Sequence, residues 1–299
     1  MVGNKLQTTV NAFREFVHSQ GWTIIAEKEI AYGYQLVVTD GTAKTPVDLF
    51  TTGKALVQGK PSELQTAIKS WVYKPQLPNA TPDKVTGIAR IGSDESGKGD
   101  YFGPLVVAAV YVDEQTESQL LALGVRDSKL LPDNIILAQA EEIKQICRGQ
   151  GTVLSYRPER YNELYKETAN LNLLLAQAHT QVIASVQRKV ACNLAIVDQF
   201  GDESLVRNAL AKLGCTITVE QRPHAEDDIA VAAASVIARA EFVRIIQELS
   251  TSVGIHLPKG ASDPKIVTVG REIVAKYGQS ALAKVAKLHF KTTEVILQG

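Results

Sequence analysis

The chain has 299 residues, enough for one large domain or two modest ones, and 45% of them are hydrophobic, which suffices for a buried core. Its formal net charge of +0 at pH 7 argues against a protein that binds nucleic acid through bulk positive charge alone. The 3 cysteines show no paired metal spacing and the N-terminus has no apolar signal core, so we expect a cytoplasmic protein without membrane association.

Residues 1–74 have the pattern of a small α+β domain. Val10, Phe13 and Val17 share helical spacing, which predicts an amphipathic helix over residues 5–19. Alternating and β-branched residues then predict four strands, at 22–28, 34–39, 46–51 and 55–58. A second helix is predicted from a Ser62 cap to the neighbourhood of Trp71. Residues 74–84 hold three prolines and little apolar content, so we place a linker at residues 75–86.

Residues 87–299 alternate strand and helix patterns, which is typical of an α/β domain. Predicted strands cover 88–94, 105–112, 151–156, 194–198 and 216–220. Predicted helices cover 132–147, 168–189 and 227–249, and the remainder, through 270–277 and 280–290, is also predicted to be helical. This order predicts a mixed sheet flanked by helices. Ligands bind such sheets at the carboxyl ends of strands, where Asp94 and Asp198 both fall.

The segment Gly92–Gly103 carries the most chemistry for its length. Asp94 and Glu95 end an apolar run, and paired carboxylates at a strand end suit Mg²⁺ or Mn²⁺. The turn Gly97-Lys98-Gly99 follows at once, and small residues around a lysine let the backbone approach a phosphate. The segment therefore predicts metal and phosphate chemistry together.

The same segment nearly matches a nucleotide-binding P-loop. Gly92, Gly97 and Lys98 have the P-loop spacing, but Gly99 stands where a serine or threonine would hold Mg²⁺. The carboxylates of Asp94 and Glu95 would also repel a phosphate inside that loop. We therefore expect no nucleotide cofactor.

Three further segments allow both a functional and a structural interpretation. Asp198 ends a buried strand and is a candidate metal ligand, although it could equally cap the next helix. The acids within His224–Asp228 precede an alanine-rich helix, where capping and the helix dipole would also explain them. The loop Asp127-Ser128-Lys129 could contact a phosphate or cap a helix. His179 lies within a long predicted helix, and we expect it to be structural.

Together these segments resemble the type 2 ribonucleases H, and within them bacterial ribonuclease HIII. The resemblance is carried by Gly92–Pro104, Asp127–Lys129, Ile196–Phe200, His224–Glu226, Ala230–Arg239, Leu257–Ala261 and Lys287–Phe290. It implies a ribonuclease H-like catalytic domain that cuts the RNA strand of RNA/DNA hybrids with Mg²⁺ or Mn²⁺. It also implies an N-terminal domain similar to the TATA-box-binding-protein fold, which residues 1–74 suit by pattern.

The resemblance implies four acidic metal ligands, which position by position are Asp94, Glu95, Asp198 and Glu226. One residue fewer than expected separates Glu226 from the alanine-rich helix, so Asp228 is the alternative for the fourth ligand. Substrate contacts are expected from the following residues: Ser96, Gly97, Lys98, Gly99, Ser128, Lys129, Lys259 and Lys287. The lysines would contact phosphates, and the glycine turn would lie along the RNA backbone and its 2′-hydroxyls.

Two other functions are compatible with the same segments. A module that binds nucleic acid without cutting it would keep the phosphate contacts and lose the metal chemistry. A metal-dependent nuclease for DNA junctions would share the acids, but the Gly-Lys-Gly and Asp-Ser-Lys segments favour a ribonuclease. We expect a monomer, and by resemblance a preference for runs of ribonucleotides over single embedded ones.

Overall fold

A computed structural model describes residues 2–52, 55–73, 85–125, 131–223 and 225–298. The chain divides into two compact units, Met1–Lys84 and Val85–Gly299. Residues 75–84 of the predicted linker lie outside the described residues, so the boundaries of that linker stay a prediction. None of the helices in the described ranges has the length and apolar character that a membrane crossing requires.

The first unit packs two helices on one face of an antiparallel sheet. Its elements are α1 Val2–Ser19, β1 Thr23–Ile30, β2 Gly33–Thr39, β3 Lys44–Phe50, β4 Ala55–Val57 and α2 Glu63–Tyr73, and the strand order is β1-β2-β3-β4. Val10, Phe13 and Val17 of α1 are buried in its core, as their helical spacing predicts. The predicted helices and all four strands are confirmed to within a few residues, because a clear apolar period marks each one.

The other face of this small sheet carries polar side chains. Asp48 of β3 accepts hydrogen bonds from the amides of Gln35 and Gln58, both at 2.6 Å. Leu56 pairs with Asp48 in the register and is 48% exposed. The small unit therefore presents an amide-rich sheet surface opposite its hydrophobic core.

The second unit is built on a five-stranded mixed sheet. Its strands are β5 Arg90–Ser96, β6 Leu105–Val112, β7 Gly151–Tyr156, β8 Leu194–Asp198 and β9 Thr218–Arg222. They lie in the order β7-β6-β5-β8-β9, and β5, β8 and β9 run parallel while β6 and β7 pair antiparallel. Its helices are α3 Glu114–Leu123, α4 Asp133–Ile146, α5 Pro158–Thr168, α6 Leu171–Gln187, α7 Ser204–Lys212, α8 Ile229–Val253, α9 Pro264–Tyr277, α10 Leu282–Val285 and α11 Thr292–Leu297.

Both faces of this sheet are buried, and each has its own core. Val106, Ala108 and Val110 of β6 face the core that contains α8, whereas Leu105 and Val107 face the core that contains α6. A strand buried on both faces is apolar at every position rather than at alternate ones, which explains the unbroken run in β6. The alternation of faces also decides which helix each site residue of β5 meets.

The helices were predicted less completely than the strands. Helices α3, α5, α7 and α11 were not predicted, and the segment 280–290 is a short 3-10 turn followed by α10 rather than one helix. The predicted helix 168–189 starts later, because Ala169 adopts a left-handed φ of 46° and the side chain of Asn170 caps α6. Short amphipathic helices of mixed composition give a weak periodic signal, and tertiary packing decides whether they form.

Candidate active site

Two carboxylates lie side by side where the parallel strands β5 and β8 end. Ser93 is the Cα partner of Val197, so the next residues along the two strands are Asp94 and Asp198. Asp94 is only 8% exposed. This edge of the sheet is therefore acidic, as the sequence predicts. It brings two of the four predicted metal ligands together.

Helix α8 packs against β5 and contacts Asp94. It approaches so closely that a Cβ on Gly92 would lie 2.1 Å from the carbonyl carbon of Ala230, which only glycine avoids. One turn further along α8, Ser235 hydrogen-bonds the carboxylate of Asp94. The backbone N–H of Glu95 donates to the same carboxylate over 2.8 Å. Asp94 thus points to the face of the sheet that α8 covers.

Glu95 points to the opposite face, towards α6. The ring Nε2 of His179 lies 3.2 Å from Glu95 Oε2, and the Nζ of Lys98 lies 3.4 Å from Glu95 Oε1. His179 is fully buried, whereas the side chain of Lys98 is partly exposed. Each oxygen of Glu95 therefore has a nitrogen partner of its own.

The two neighbouring carboxyls have opposite electrostatic environments. Burial, and then the charges of Glu95 and Asp198, raise the pKa of Asp94 to about 8. Burial would also raise the pKa of Glu95, but the hydrogen bond from His179 and the charges of His179 and Lys98 outweigh it and lower that pKa. The influence of Asp198 on Asp94 shows that these acids converge on one region.

The acidic residues that precede α8 have two different surroundings. Glu226 lies half-buried in a 3-10 turn at residues 225–227, and the N–H of Ala225 in that turn donates to Asp198 over 3.1 Å. Asp228 caps α8 by accepting the N–H of Ala230, so the capping interpretation holds for this residue. The hydrogen bond from Ala225 places the start of this cluster beside Asp198, and Glu226 is the next residue along the chain.

Asp228 also belongs to a buried ion-pair network. Nε of Arg90 lies 2.7 Å from Asp228, and a terminal guanidinium nitrogen of Arg90 lies 2.8 Å from Glu117 of α3. Glu117 in turn accepts the N–H groups of Thr86 and Gly87, both at 3.0 Å. The network joins the start of β5, helix α3 and the N-terminus of α8, and it leaves Asp228 committed to cations of the protein.

The glycines of the turn after β5 differ in their surroundings. Gly97 has φ +89°, and a Cβ there would lie 2.2 Å from the carbonyl oxygen of Pro104. Gly99 is exposed and has no atom within 4 Å of its Cβ position. Gly97 is therefore required by the fold, whereas Gly99 leaves open space that a ligand can use.

Two lysines that are predicted to contact phosphate, Lys259 and Lys287, have different surroundings. Lys259 pairs with Asp133 at 2.6 Å and stays 35% exposed, next to Gly260, whose N–H donates to Asp100 beyond the turn. The prediction that Lys287 contacts phosphate is wrong, because its side chain is 0% exposed and donates to the carbonyls of Gly103 and Pro104. Burial lowers the pKa of Lys287 to about 7, and its hydrogen bonds hold the segment at Gly103 and Pro104.

Two predicted site residues, Ser128 and Lys129, fall outside the described ranges, as does His224, which helps to carry the resemblance. Their roles remain predictions. Ser96 is described, ends β5 and is half-buried beside the turn.

The donor set fits a divalent cation. Carboxylate oxygens suit Mg²⁺ and Mn²⁺, and the raised pKa of Asp94 shows negative charge that a cation would neutralise. No three His, Cys, Asp or Glu side chains form a complete ligand set among the residues that the structure describes. Protein donors hold the acids instead, so metal binding would exchange some of these contacts for ligation.

Several residues at this site could not be found from the sequence. His179 was expected to be structural, yet it contacts Glu95 from 84 positions further along the chain. Phe200 stacks on the His179 ring, with centroids 4.9 Å apart and an angle of 10°. A lone histidine in an apolar helix carries no local signal of function, and only the packing of α6 on the sheet reveals it.

Comparisons with known proteins show the family to which the chain belongs. The family model described as Ribonuclease HII matches residues 91–293. The ribonuclease HIII of Protochlamydia amoebophila is 40% identical over 254 residues, which cover 83% of this chain and 82% of that protein. That of Chlamydia pneumoniae is 42% identical over 256 residues, covering 84% of each. The crystal structure of Bst-RNase HIII in complex with Mn²⁺ has a TM-score of 0.67 and 30% identity, covering 98% of this chain and 96% of that one.

Proposed function

Because the chain belongs to the ribonuclease HIII family and is a metal-dependent ribonuclease H, we propose that it cuts the RNA strand of RNA/DNA hybrids by a two-metal mechanism. The proposed products carry 5′-phosphate and 3′-hydroxyl ends. The proposed metal ligands are Asp94, Glu95, Asp198 and Glu226, and we propose that either Mg²⁺ or Mn²⁺ serves.

One observation carries the proposal, namely the convergence of acids at one sheet edge. Asp94 and Asp198 directly follow the last paired residues of the neighbouring parallel strands β5 and β8, and Glu95 follows Asp94. Like charges this close are unfavourable unless a cation is shared, and the charges of Glu95 and Asp198 add to the effect of burial in raising the pKa of Asp94. We assign the fourth position to Glu226 rather than Asp228, because Asp228 already caps α8 and pairs with Arg90.

The chemistry is hydrolysis of a phosphodiester. Two divalent ions, when bound, would lower the pKa of the attacking water and stabilise the charge that develops on the departing 3′ oxygen. The water oxygen becomes bonded to phosphorus while the bond from phosphorus to the 3′ oxygen breaks. The released 3′ oxygen takes a proton, which gives a 3′-hydroxyl and leaves the phosphate on the 5′ end.

The turn after β5 is the proposed contact for the RNA strand. Gly99 offers exposed backbone with open space around it, so a 2′-hydroxyl can approach its peptide groups. Lys98 lies beside Glu95 and places positive charge where a phosphate enters the site. We propose that Ser96, Gly97 and Lys259 flank this contact, and that Ser128 and Lys129 contribute from the loop before α4.

The N-terminal unit is proposed to grip the hybrid. Its open sheet face carries the amides of Gln35 and Gln58 and the exposed Lys28, groups that suit a sugar–phosphate backbone. A second binding module raises the effective concentration of substrate at the acids. Deleting residues 1–75 should therefore raise KM for the hybrid more than it lowers kcat. An unchanged KM would contradict a gripping role.

The direct test uses purified protein and end-labelled duplexes. With Mg²⁺ or Mn²⁺ it should cut an RNA/DNA hybrid and spare a DNA duplex of the same sequence, and EDTA should stop the reaction. Products should accept ligation at their 5′ ends without added phosphorylation. Saturable hybrid binding with neither metal yielding product would favour a binding module instead, and cleavage of DNA junctions would favour the junction nuclease.

Two finer proposals can be tested alongside. The enzyme should cut an all-RNA/DNA hybrid faster than a duplex with one embedded ribonucleotide, which a side-by-side time course would measure. We also propose a monomeric, cytoplasmic protein. Sedimentation analysis and fractionation of cells would test these two points.

A further inference from the structure

His179 occupies a position between the acidic site and the core of the second unit. Its ring is fully buried, and each ring nitrogen has a partner. Nδ1 lies 2.8 Å from Oγ of Ser93, and Nε2 lies 3.2 Å from Oε2 of Glu95. We propose that Ser93 and His179 form a hydrogen-bonded pair that orients Glu95 for metal binding. This proposal rests on the proposed role of Glu95 as a metal ligand.

The hydrogens available to Ser93 and His179 determine which group donates in the hydrogen bond between His179 and Glu95. Oγ of Ser93 also lies 2.8 Å from the carbonyl oxygen of Ala108 and has one hydrogen to donate. If that hydrogen goes to Ala108, Nδ1 must donate to Ser93, and Nε2 must also carry a hydrogen because the carboxylate of Glu95 can only accept. If it goes to Nδ1, the neutral ring still carries its hydrogen on Nε2. In both arrangements His179 donates to Glu95.

The donation leaves the two oxygens of Glu95 with different tasks. Oε2 is committed to His179 inside the core, whereas Oε1 faces the partly exposed Lys98. Oε1 is therefore the oxygen on the side from which a metal ion and a phosphate can approach. A carboxylate fixed through one oxygen loses less rotational freedom when the other binds a metal, and such outer partners are worth 10- to 100-fold in affinity or activity.

Phe200 holds the histidine ring in its plane. The two rings stack nearly parallel, and Phe200 follows Asp198 by two residues. Nζ of Lys98 lies 5.9 Å from the centre of the same aromatic ring. The stack thus connects the segment after Asp198 with Glu95 and Lys98. The buried residue His179 therefore contacts both Glu95 of β5 and Phe200, which follows β8.

The test compares three variants of the full-length protein with a control. His179→Phe keeps an aromatic ring against Phe200 and removes the donor, and His179→Gln keeps an N–H donor near the position of Nε2. Ser93→Ala removes only the distal partner. Gln177→Ala changes an exposed residue on the same helix and should leave every measured value unchanged.

The decisive readout is Mn²⁺ affinity of metal-stripped protein, measured from the electron paramagnetic resonance signal of free Mn²⁺. We expect His179→Phe to bind Mn²⁺ about 10- to 100-fold more weakly, with kcat reduced by a similar factor and KM for the hybrid nearly unchanged. His179→Gln should recover most of the lost affinity, and Ser93→Ala should lose less than His179→Phe. Circular dichroism without metal reports folding separately.

The outcomes separate this proposal from the proposed function. If the wild type binds Mn²⁺ and cuts the hybrid while His179→Phe retains wild-type Mn²⁺ affinity, the positioning role is refuted and the nuclease assignment stands. If the wild type neither binds Mn²⁺ nor cuts the hybrid, the proposed function itself fails. Should His179→Phe not fold, a wild-type Mn²⁺ affinity in Ser93→Ala and in His179→Leu would equally refute the positioning role.

Discussion

Asp94 and Glu95 are adjacent in one strand, but the two faces of the sheet treat them in opposite ways. On the α8 face, Asp94 meets a serine hydroxyl, a backbone N–H and further negative charge, and its pKa rises to about 8. On the α6 face, Glu95 meets His179 and Lys98, and its pKa falls. Both groups are deeply buried, so the partners and not the burial decide the difference.

We infer from this difference how the fold would prepare the proposed metal site before an ion binds. On the α6 side, His179 and Lys98 balance the negative charge of Glu95, which fixes this carboxylate in its charged form and in one orientation. The α8 side is left uncompensated, so the ionised form of Asp94 is costly until a cation arrives. Active sites commonly keep such destabilising charge because function requires it.

The largest expected effect is the loss of catalysis on the α8 side. Asp94→Asn removes a proposed shared ligand without changing the shape of the side chain, so the cleavage rate should fall at least ~1,000-fold. Binding of the hybrid, measured by fluorescence anisotropy in EDTA, should change less than about threefold because phosphate contacts lie elsewhere. Full activity in this variant would refute the ligand assignment.

The α8 side also depends on the buried Arg90 network. Arg90→Met leaves the carboxylates of Asp228 and Glu117 without their cation, and breaking a buried pair in this way costs about 3–5 kcal/mol of unfolding free energy. Arg222→Met is the matched control, because Arg222 is 47% exposed and reaches Asp228 only at 3.5 Å. Its cost should stay below about 1 kcal/mol. Equal losses in urea titrations would contradict the network.

The pKa contrast predicts stability changes of opposite sign in metal-free protein. The folded-state pKa of Asp94 is raised, so ionisation in the unfolded chain makes the wild type less stable as pH rises from about 4 to about 8. Asp94→Asn should remove this loss and stabilise the protein by roughly 1–3 kcal/mol near pH 8, with little gain near pH 4.

Glu95→Gln should do the reverse. The folded-state pKa of Glu95 is lowered, so its charge stabilises the fold above its ordinary pKa, and that contribution disappears as pH falls through the folded-state value. The variant should be less stable than the wild type near pH 7 by about 1 kcal/mol, and the gap should close below about pH 4. Thermal unfolding in EDTA across this range would check both variants, and shifts of the same sign would contradict the contrast.

The smallest effects concern the turn that both faces share. Gly97→Ala puts a side chain on a left-handed backbone, which costs about 1–2 kcal/mol of stability, and the clash with the carbonyl of Pro104 adds to that cost. Gly99→Ala has room for its methyl group, so stability should stay within about 0.5 kcal/mol while KM for the hybrid rises. If Gly99→Ala instead left KM unchanged, the turn would not be the RNA contact.

The strands and the acidic edge could be predicted from the sequence because they are local signals. Apolar runs that stop at a carboxylate mark β5 and β8, and parallel strands bring Asp94 and Asp198 to the same edge. The family resemblance implies Glu226 as the fourth ligand, with Asp228 as the alternative, and that position stays a prediction. The fold class followed from the alternation of strands and helices.

Features that depend on long-range packing could not be predicted. His179 meets Glu95 only once α6 lies on the sheet, and Arg90 meets Asp228 across 138 positions. The family resemblance predicts a phosphate contact for Lys287, yet the fold buries this side chain, which donates to the carbonyl of Gly103. A side chain's partners decide its role, and the chain alone does not reveal partners that are distant in sequence.

The most direct measurement is calorimetric titration of Mn²⁺ into metal-stripped wild type, Asp94→Asn and Glu95→Gln. If the two faces of the sheet serve one metal centre, the wild type binds Mn²⁺ and each variant binds at least about tenfold more weakly. Wild-type affinity in either variant would contradict the claim that these two neighbouring carboxylates, held in opposite environments, belong to the same site.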